Sequence, residues 1–130
     1  MDMRDTGVPF GQKVIIVEGI TDKERINQVL REPVYIYCTN GTLSYETLEE
    51  DIVPLQNEEV YILVDADSPG NKLRNQLRQE LPNATHLYTR KMYREVASTP
   101  AEHLAKIFHD AHFEVDERYL QNNEYGLEDW

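Results

Sequence analysis

Three carboxylates stand where short apolar runs stop. Val14-Ile15-Ile16-Val17 leads straight into Glu18-Gly19, and Val60-Tyr61-Ile62-Leu63-Val64 leads straight into Asp65-Ala66-Asp67. Carboxylates packed together repel one another and raise each other's pKa. A hard divalent cation removes that cost, and carboxylate oxygens with retained waters suit Mg²⁺ or Mn²⁺. Mg²⁺ takes one or two protein carboxylates and leaves room for phosphate oxygens. The set therefore points to phosphate chemistry, with the ion acting as a Lewis acid on a phosphoryl oxygen. Either Asp can instead simply cap the helix that follows it. Asp-x-Asp alone carries little weight; Glu-Gly at the end of an earlier strand strengthens it.

The surrounding elements must bring these groups together. The run at 14–17 is apolar on both faces, as in a strand of a parallel sheet covered on both sides. Thr21-Asp22-Lys23-Glu24 has the form of a capping box. Ile26, Val29 and Leu30 supply the stripe of a helix that Pro33 ends. Val34 to Cys38 reads as a second strand, followed by the polar turn Thr39-Asn40-Gly41-Thr42. Leu48, Ile52 and Leu55 predict a second helix from near Ser44, broken around Pro54. After the third strand, at 60–64, Ser68 can cap a helix with Pro69 at its first position. Leu73, Leu77 and Leu81 line its inner face, and Pro82 stops it. Thr85 to Tyr88 predicts a weaker fourth strand. Thr99-Pro100-Ala101-Glu102 reads as another capping box, before a stripe of Leu104, Ile107, Phe108 and Ala111.

This alternation predicts an α/β, three-layer, Rossmann-like fold: a four-stranded, mainly parallel sheet with helices on both faces and right-handed connections. Ligands of such sheets bind beyond the carboxyl ends of the strands, where the strand order reverses. An order of 2-1-3-4 makes the first and third strands neighbours. Glu18, Asp65 and Asp67 then share one crevice.

Glu18-Gly19-Ile20-Thr21-Asp22 resembles the Glu-Gly-x-x-Asp motif of Toprim domains, and Asp65-Ala66-Asp67-Ser68-Pro69-Gly70 resembles their Asp-x-Asp-x-x-Gly motif. The two motifs lie some 45 positions apart, and the likeness covers residues 12 to 112 or so. Toprim domains occur in primases, topoisomerases, recombination mediators and several nucleases. Thr39-Asn40-Gly41 and Pro69-Gly70-Asn71-Lys72-Leu73-Arg74 are similar to the subgroup of Toprim ribonucleases that mature ribosomal RNA, and Glu102-His103 matches a pair found there. The resemblance implies a general acid or base at Glu18 and an ion held at Asp65 and Asp67, with Glu18 as a third candidate ligand. It implies close approach of substrate at Gly19 and Gly70. Asp22, Asn40 and His103 join the set of candidate residues on the same ground.

Two departures qualify it. Pro69 stands where topoisomerase-type members often carry a third acid, which argues against a second tightly held ion. The 130 residues hold no counterpart of a tyrosine-bearing topoisomerase domain or of the ribonucleases' substrate-binding domain. Those particular activities and substrates are not expected to carry over.

The chain carries 24 acidic and 13 basic residues, a net charge of −11. That excludes nucleic-acid binding through bulk positive charge. The charge is uneven, however. Residues 41–67 hold eight acids and no Lys or Arg; residues 71–94 hold Lys72, Arg74, Arg78, Arg90, Lys91 and Arg94 against one acid, Glu80. The helix after the Asp pair also aims its positive end at the site. Lys72 and Arg74 are the expected phosphate contacts. Tyr88 and Tyr93 can stack on unpaired bases or pack as core. A solvated basic helix face is the plainer alternative.

One cysteine, Cys38, excludes an internal disulfide and fits a reducing compartment, as a small buried hydrophobe. With no apolar run long enough to span a bilayer and no secretory leader, a cytoplasmic protein is expected. One domain is expected over 1–120, with an acidic tail at 121–130. A homodimer is compatible with exposed sheet edges.

The expected function is a Mg²⁺-dependent nuclease or phosphotransfer enzyme acting on nucleic-acid phosphodiesters, RNA foremost. The competing reading is a non-catalytic module that binds nucleic acid or a nucleic-acid-bound protein partner. An aspartyl-phosphate phosphatase using Asp65 as nucleophile ranks third. Pro69 stands where such enzymes usually place a small hydroxyl residue, and that chemistry leaves Glu18-Gly19 without a role.

Overall fold

The computed structural model describes residues 7–90 and 92–120. Four strands, β1 (Lys13–Val17), β2 (Val34–Cys38), β3 (Val60–Leu63) and β4 (Thr85–Leu87), form one sheet. Its order is β2-β1-β3-β4 and every pairing is parallel. This is the expected order, and it places β1 against β3.

The strand residues alternate between two cores, as the pleat requires. Ile15, Val17, Tyr61, Leu63 and Leu87 pack with Ile26, Val29, Leu104 and Phe108. These last belong to α1 (Ile20–Val29) and α4 (Ala101–Asp110). Val14, Ile16, Ile62 and Val64 face the other way, onto Leu73, Leu77, Ile52 and Leu55. Leu73 and Leu77 come from α3 (Ser68–Glu80). The three layers are thus present, with the expected apolar stripes pointing inward.

Several local expectations need correction. The first helix begins at Ile20, before the Thr21 capping box. Gly19 is its N-cap, and the Gly19 N–H donates to Asp22 Oδ2 at 3.2 Å. Asp22 does the reciprocal work expected of Glu24. The third helix is capped by Asp67, not Ser68: Asp67 Oδ1 accepts from the Gly70 N–H at 2.8 Å, and Pro69 falls at the second helical position. The Thr99 capping box does not form, because the Thr99 hydroxyl donates to the Glu95 carbonyl at 3.0 Å and Pro100 is the N-cap.

Ser44 does start the second helical stretch, accepting from the Thr47 N–H at 3.1 Å. Only α2 (Tyr45–Thr47) is α-helical; a π turn follows at Leu48–Ile52 and a 3₁₀ turn at Val53–Asn57. Pro54, which has no N–H to give, falls in the first turn of the 3₁₀ segment, after α winding has already stopped at Thr47. β2 is an edge strand whose residues are all only partly buried, so Cys38 is half-buried rather than enclosed. The acidic segment 121–130 lies outside the described residues. No helix among the described residues is long and apolar enough to cross a membrane.

Candidate functional site

β1 and β3 are hydrogen-bonded neighbours, so Glu18 and Asp65 leave the sheet side by side at its carboxyl edge. The Asp65 N–H donates to Glu18 Oε1 at 2.9 Å. Asp65 Oδ1 accepts from the Val96 N–H at 2.8 Å, and Asp67 Oδ1 is held by the Gly70 N–H. Each carboxylate therefore has one oxygen oriented by a backbone amide. The second oxygen of each accepts no hydrogen bond from the described residues.

The cluster is electrostatically costly. Burial raises the pKa of Glu18, and the charges of Asp65, Asp67 and Asp22 push the same way against the Asp65 N–H. Burial also raises Asp65, assisted by Asp67 and Glu95 and opposed by the Val96 N–H. Asp22, buried at the start of α1, is raised by burial and by the charges of Asp65 and Glu95. Five acids thus share one field. Glu95 was not among the expected residues: it lies in the irregular segment after β4 and belongs to no motif. The bonds on either side of it, from the Val96 N–H to Asp65 Oδ1 and from the Ala66 N–H to the Arg94 carbonyl, draw it in. The Arg25 guanidinium donates to the Ala97 and Thr99 carbonyls, pinning this segment to α1.

Among the described residues no three His, Cys, Asp or Glu side chains are placed to hold a metal ion together. Glu18, Asp65 and Asp67 are neighbours, not a finished three-ligand set. The donor chemistry still fits Mg²⁺: hard oxygens, two carboxylates on one Asp-Ala-Asp turn, and positions left for water and phosphate. The uncompensated repulsion is what a cation relieves.

The other candidates separate into two groups. Gly19 is extended, with φ −142°. A Cβ there would meet nothing within 4 Å, so the approach to Glu18 is open. Asn40 sits in the left-handed region at φ 57°, and its N–H donates to the Glu18 carbonyl at 2.7 Å. Gln76 of α3 holds this loop through the Leu43 carbonyl at 2.9 Å and the Leu43 N–H at 3.1 Å. Lys72 is exposed near the start of α3.

Gly70 and Arg74 do not sit as expected, while His103 stands in the first turn of α4. Gly70 is buried, and a Cβ on it would lie 1.9 Å from the Asp65 carbonyl oxygen. Its smallness admits the protein's own backbone rather than a substrate. Arg74 is 4% exposed. Its guanidinium donates to the Leu87 carbonyl at 2.6 Å and the Val64 carbonyl at 3.3 Å, and meets His86 Nδ1 at 3.0 Å. It braces the ends of β3 and β4 and is too enclosed to clamp phosphate. Burial lowers its pKa, though an arginine stays charged. The His103 ring meets Tyr93 edge-to-face at 5.1 Å, and burial lowers its pKa.

The brace is testable. Arg74→Met strands buried carbonyls and is expected to cost about 2 kcal/mol in urea unfolding. Lys72→Met, on the exposed face, should change stability by less than about 0.5 kcal/mol. Equal effects of the two substitutions would refute the bracing role.

Beside the cluster lies a groove of about 350 Å³ lined by Asp67, Met92, Tyr93, Arg94, Glu95 and Ser98. A larger hollow of about 650 Å³ follows α4, among residues such as His109, His112 and Phe113, and contains none of the site residues.

The Toprim domain family model matches residues 13–96. The uncharacterized protein YusF of Bacillus subtilis is 47% identical over 116 residues, covering 89% of this chain and 80% of that protein. Ribonuclease M5 of Listeria monocytogenes is 34% identical over 85 residues, covering 64% of this chain and 43% of its own. Ribonuclease M5 of Mycoplasma genitalium is 34% identical over 76 residues, with 58% and 42% covered. The chain thus spans less than half the length of these ribonucleases. A solved structure of a small TOPRIM domain protein from Bacillus stearothermophilus matches with a TM-score of 0.79 at 50% identity, covering 84% of this chain and 92% of that one.

Proposed function

The chain belongs to the Toprim domain family, and from that premise we propose that it is a Mg²⁺-dependent hydrolase of nucleic-acid phosphodiesters, RNA foremost. The observation that carries this reading is the 2.9 Å bond from the Asp65 N–H to Glu18 Oε1. It joins the two motifs at the carboxyl edge of the sheet, where α/β folds bind ligands. Similarity to the ribonuclease M5 proteins supports RNA as substrate.

Asp65 and Asp67 would hold the ion, which when bound supplies Lewis-acid polarisation of a phosphoryl oxygen. Glu18 does the proton work. Its raised pKa brings a glutamate closer to the operating pH, where a general acid or base is most effective. The amide on Oε1 fixes the side chain and leaves Oε2 to take a proton from the attacking water. The Gly19 opening lets the substrate backbone come close.

Cleavage of labelled structured RNA and of single-stranded DNA, with Mg²⁺ and with EDTA, tests the reading. Mg²⁺-dependent products are expected. Binding without turnover on every substrate would favour a non-catalytic module.

The melting temperature gives a second test. Asp65, Glu18 and Asp22 have folded-state pKa values above their ordinary ones. A raised carboxylate binds its proton more tightly when folded, so its contribution is present below the unfolded pKa and is lost as pH rises through the folded one. Metal-free protein at neutral pH therefore carries the full repulsion. Asp65→Asn keeps the acceptor for the Val96 N–H and removes one charge. It should raise the melting temperature of metal-free protein at pH 7 and abolish the rise that Mg²⁺ gives the wild type. A lower metal-free melting temperature with an undiminished Mg²⁺ effect would contradict the assignment.

A further inference from the structure

Large apolar side chains that stay in water mark a second feature of the same edge. Ile20, Tyr88 and Met92 are exposed, and each follows the carboxyl end of β1 or β4 within a few residues, as the acidic cluster follows β1 and β3. Tyr88 is the best defined of them. It comes directly after the Leu63–Leu87 pair that ends the β3–β4 ladder, beside the path that leads to Asp65.

The Arg74 guanidinium lies 4.1 Å beneath the centroid of the Tyr88 ring. That guanidinium is buried and bonded to the Leu87 and Val64 carbonyls, so it cannot swing away. The ring nevertheless remains 59% exposed. Arg74 thus fixes the ring from below, the His86 ring lies alongside at 26° with centroids 6.5 Å apart, and more than half of the residue is still open to solvent. The segment beyond it turns back on the site, where the Ala66 N–H donates to the Arg94 carbonyl at 2.7 Å.

We propose that Tyr88 is a stacking platform for a base of an unpaired nucleic-acid strand, which it delivers to the acidic cluster. This deepens the hydrolase reading and rests on it for the site. A protein of net charge −11 gains little from counterion release along a phosphate backbone. Base stacking supplies affinity that does not depend on net charge. A ring already covered by a cation on one face offers the other to a neutral π surface rather than to a second cation. Duplex bases are stacked on one another and present no such surface. Lys72 and Arg94, exposed on the flanking elements, suit the adjoining phosphates.

The test uses short RNA and DNA strands carrying a fluorescent purine analogue, in EDTA so that nothing is cut. Wild type and Tyr88→Phe should quench the analogue on binding single strands. Tyr88→Leu keeps apolar bulk without a π face and should bind about tenfold more weakly without quenching. The matching duplexes should bind wild type at least about tenfold more weakly than the single strands. Undiminished binding by Tyr88→Leu, equal affinity for duplex, or no binding of any strand overturns the platform. The wild-type quench and duplex comparison decide the matter even if Tyr88→Leu fails to fold. Mg²⁺-dependent cleavage separates the two readings. Cleavage with no quench leaves the hydrolase standing and removes the platform; Tyr88-dependent quench with no cleavage does the reverse.

Discussion

Glu18→Gln is expected to lower Mg²⁺-dependent cleavage by about 10³-fold, the usual scale for loss of a general acid or base. The fold should survive. A glutamine oxygen can still accept from the Asp65 N–H, which wild type does at 2.9 Å. The substitution also removes a charge from a cluster in which burial and repulsion already raise Glu18, so metal-free stability should not fall. Loss of activity without loss of stability then isolates the proton-transfer role. Single-turnover rates at saturating substrate are the measurement, with melting curves beside them. A variant that cuts as fast as wild type would remove Glu18 from the chemistry. Slow cutting accompanied by unfolding would mean that the residue only braces Asp65.

Gly70→Ala is expected to destabilise the protein by about 3 kcal/mol, the upper end for overpacking a well-filled site. Elsewhere in a helix the same change stabilises by up to about 1 kcal/mol, because alanine is the better helix former. Here the sign reverses. The added Cβ would sit 1.9 Å from the Asp65 carbonyl oxygen and 2.9 Å from its carbon, both backbone atoms, and 3.0 Å from Asp67 Oδ1. Either α3 shifts or the Asp-Ala-Asp turn does, and both carry the site. Cleavage should fall together with the melting temperature, by something on the order of 10 °C. Gly19→Ala is the control, since its Cβ meets nothing within 4 Å and its backbone is extended. It should leave stability nearly unchanged. If Gly70→Ala were equally harmless, the close approach would have no energetic weight.

The two glycines carry opposite meanings that their motifs do not distinguish. Both looked like openings for a substrate; one opens outward and the other onto the protein's own chain. The same holds for the basic residues after the Asp pair. Lys72 and Arg74 lie two positions apart on α3 and are alike in charge, yet Lys72 is in water while Arg74 is buried beneath Tyr88. Helical spacing turns residues two apart to different faces. What lies on the inner face, the ends of β3 and β4 with their open carbonyls, is visible only in the folded chain. Asp67 shows the limit in another way. Capping and metal binding were alternatives in the sequence; the structure engages Oδ1 in the cap and leaves Oδ2 without a partner among the described residues.

The sequence alone determined the alternation of apolar runs and helical stripes, hence a parallel sheet covered by helices, and the two acidic motifs at strand ends. Those are local signals of period and punctuation, each spanning a few residues. The order 2-1-3-4 was the one that would unite those motifs, and the tertiary structure supplies it. Only the tertiary structure decided that Val96 holds Asp65, that Glu95 joins the acids, that Asp22 rather than Glu24 caps α1, and that Arg74 props Tyr88. These depend on which backbone groups remain unpaired once strands and helices dock. Unsatisfied amides and carbonyls take whichever side chain is within reach, and reach is set by packing rather than by position along the chain.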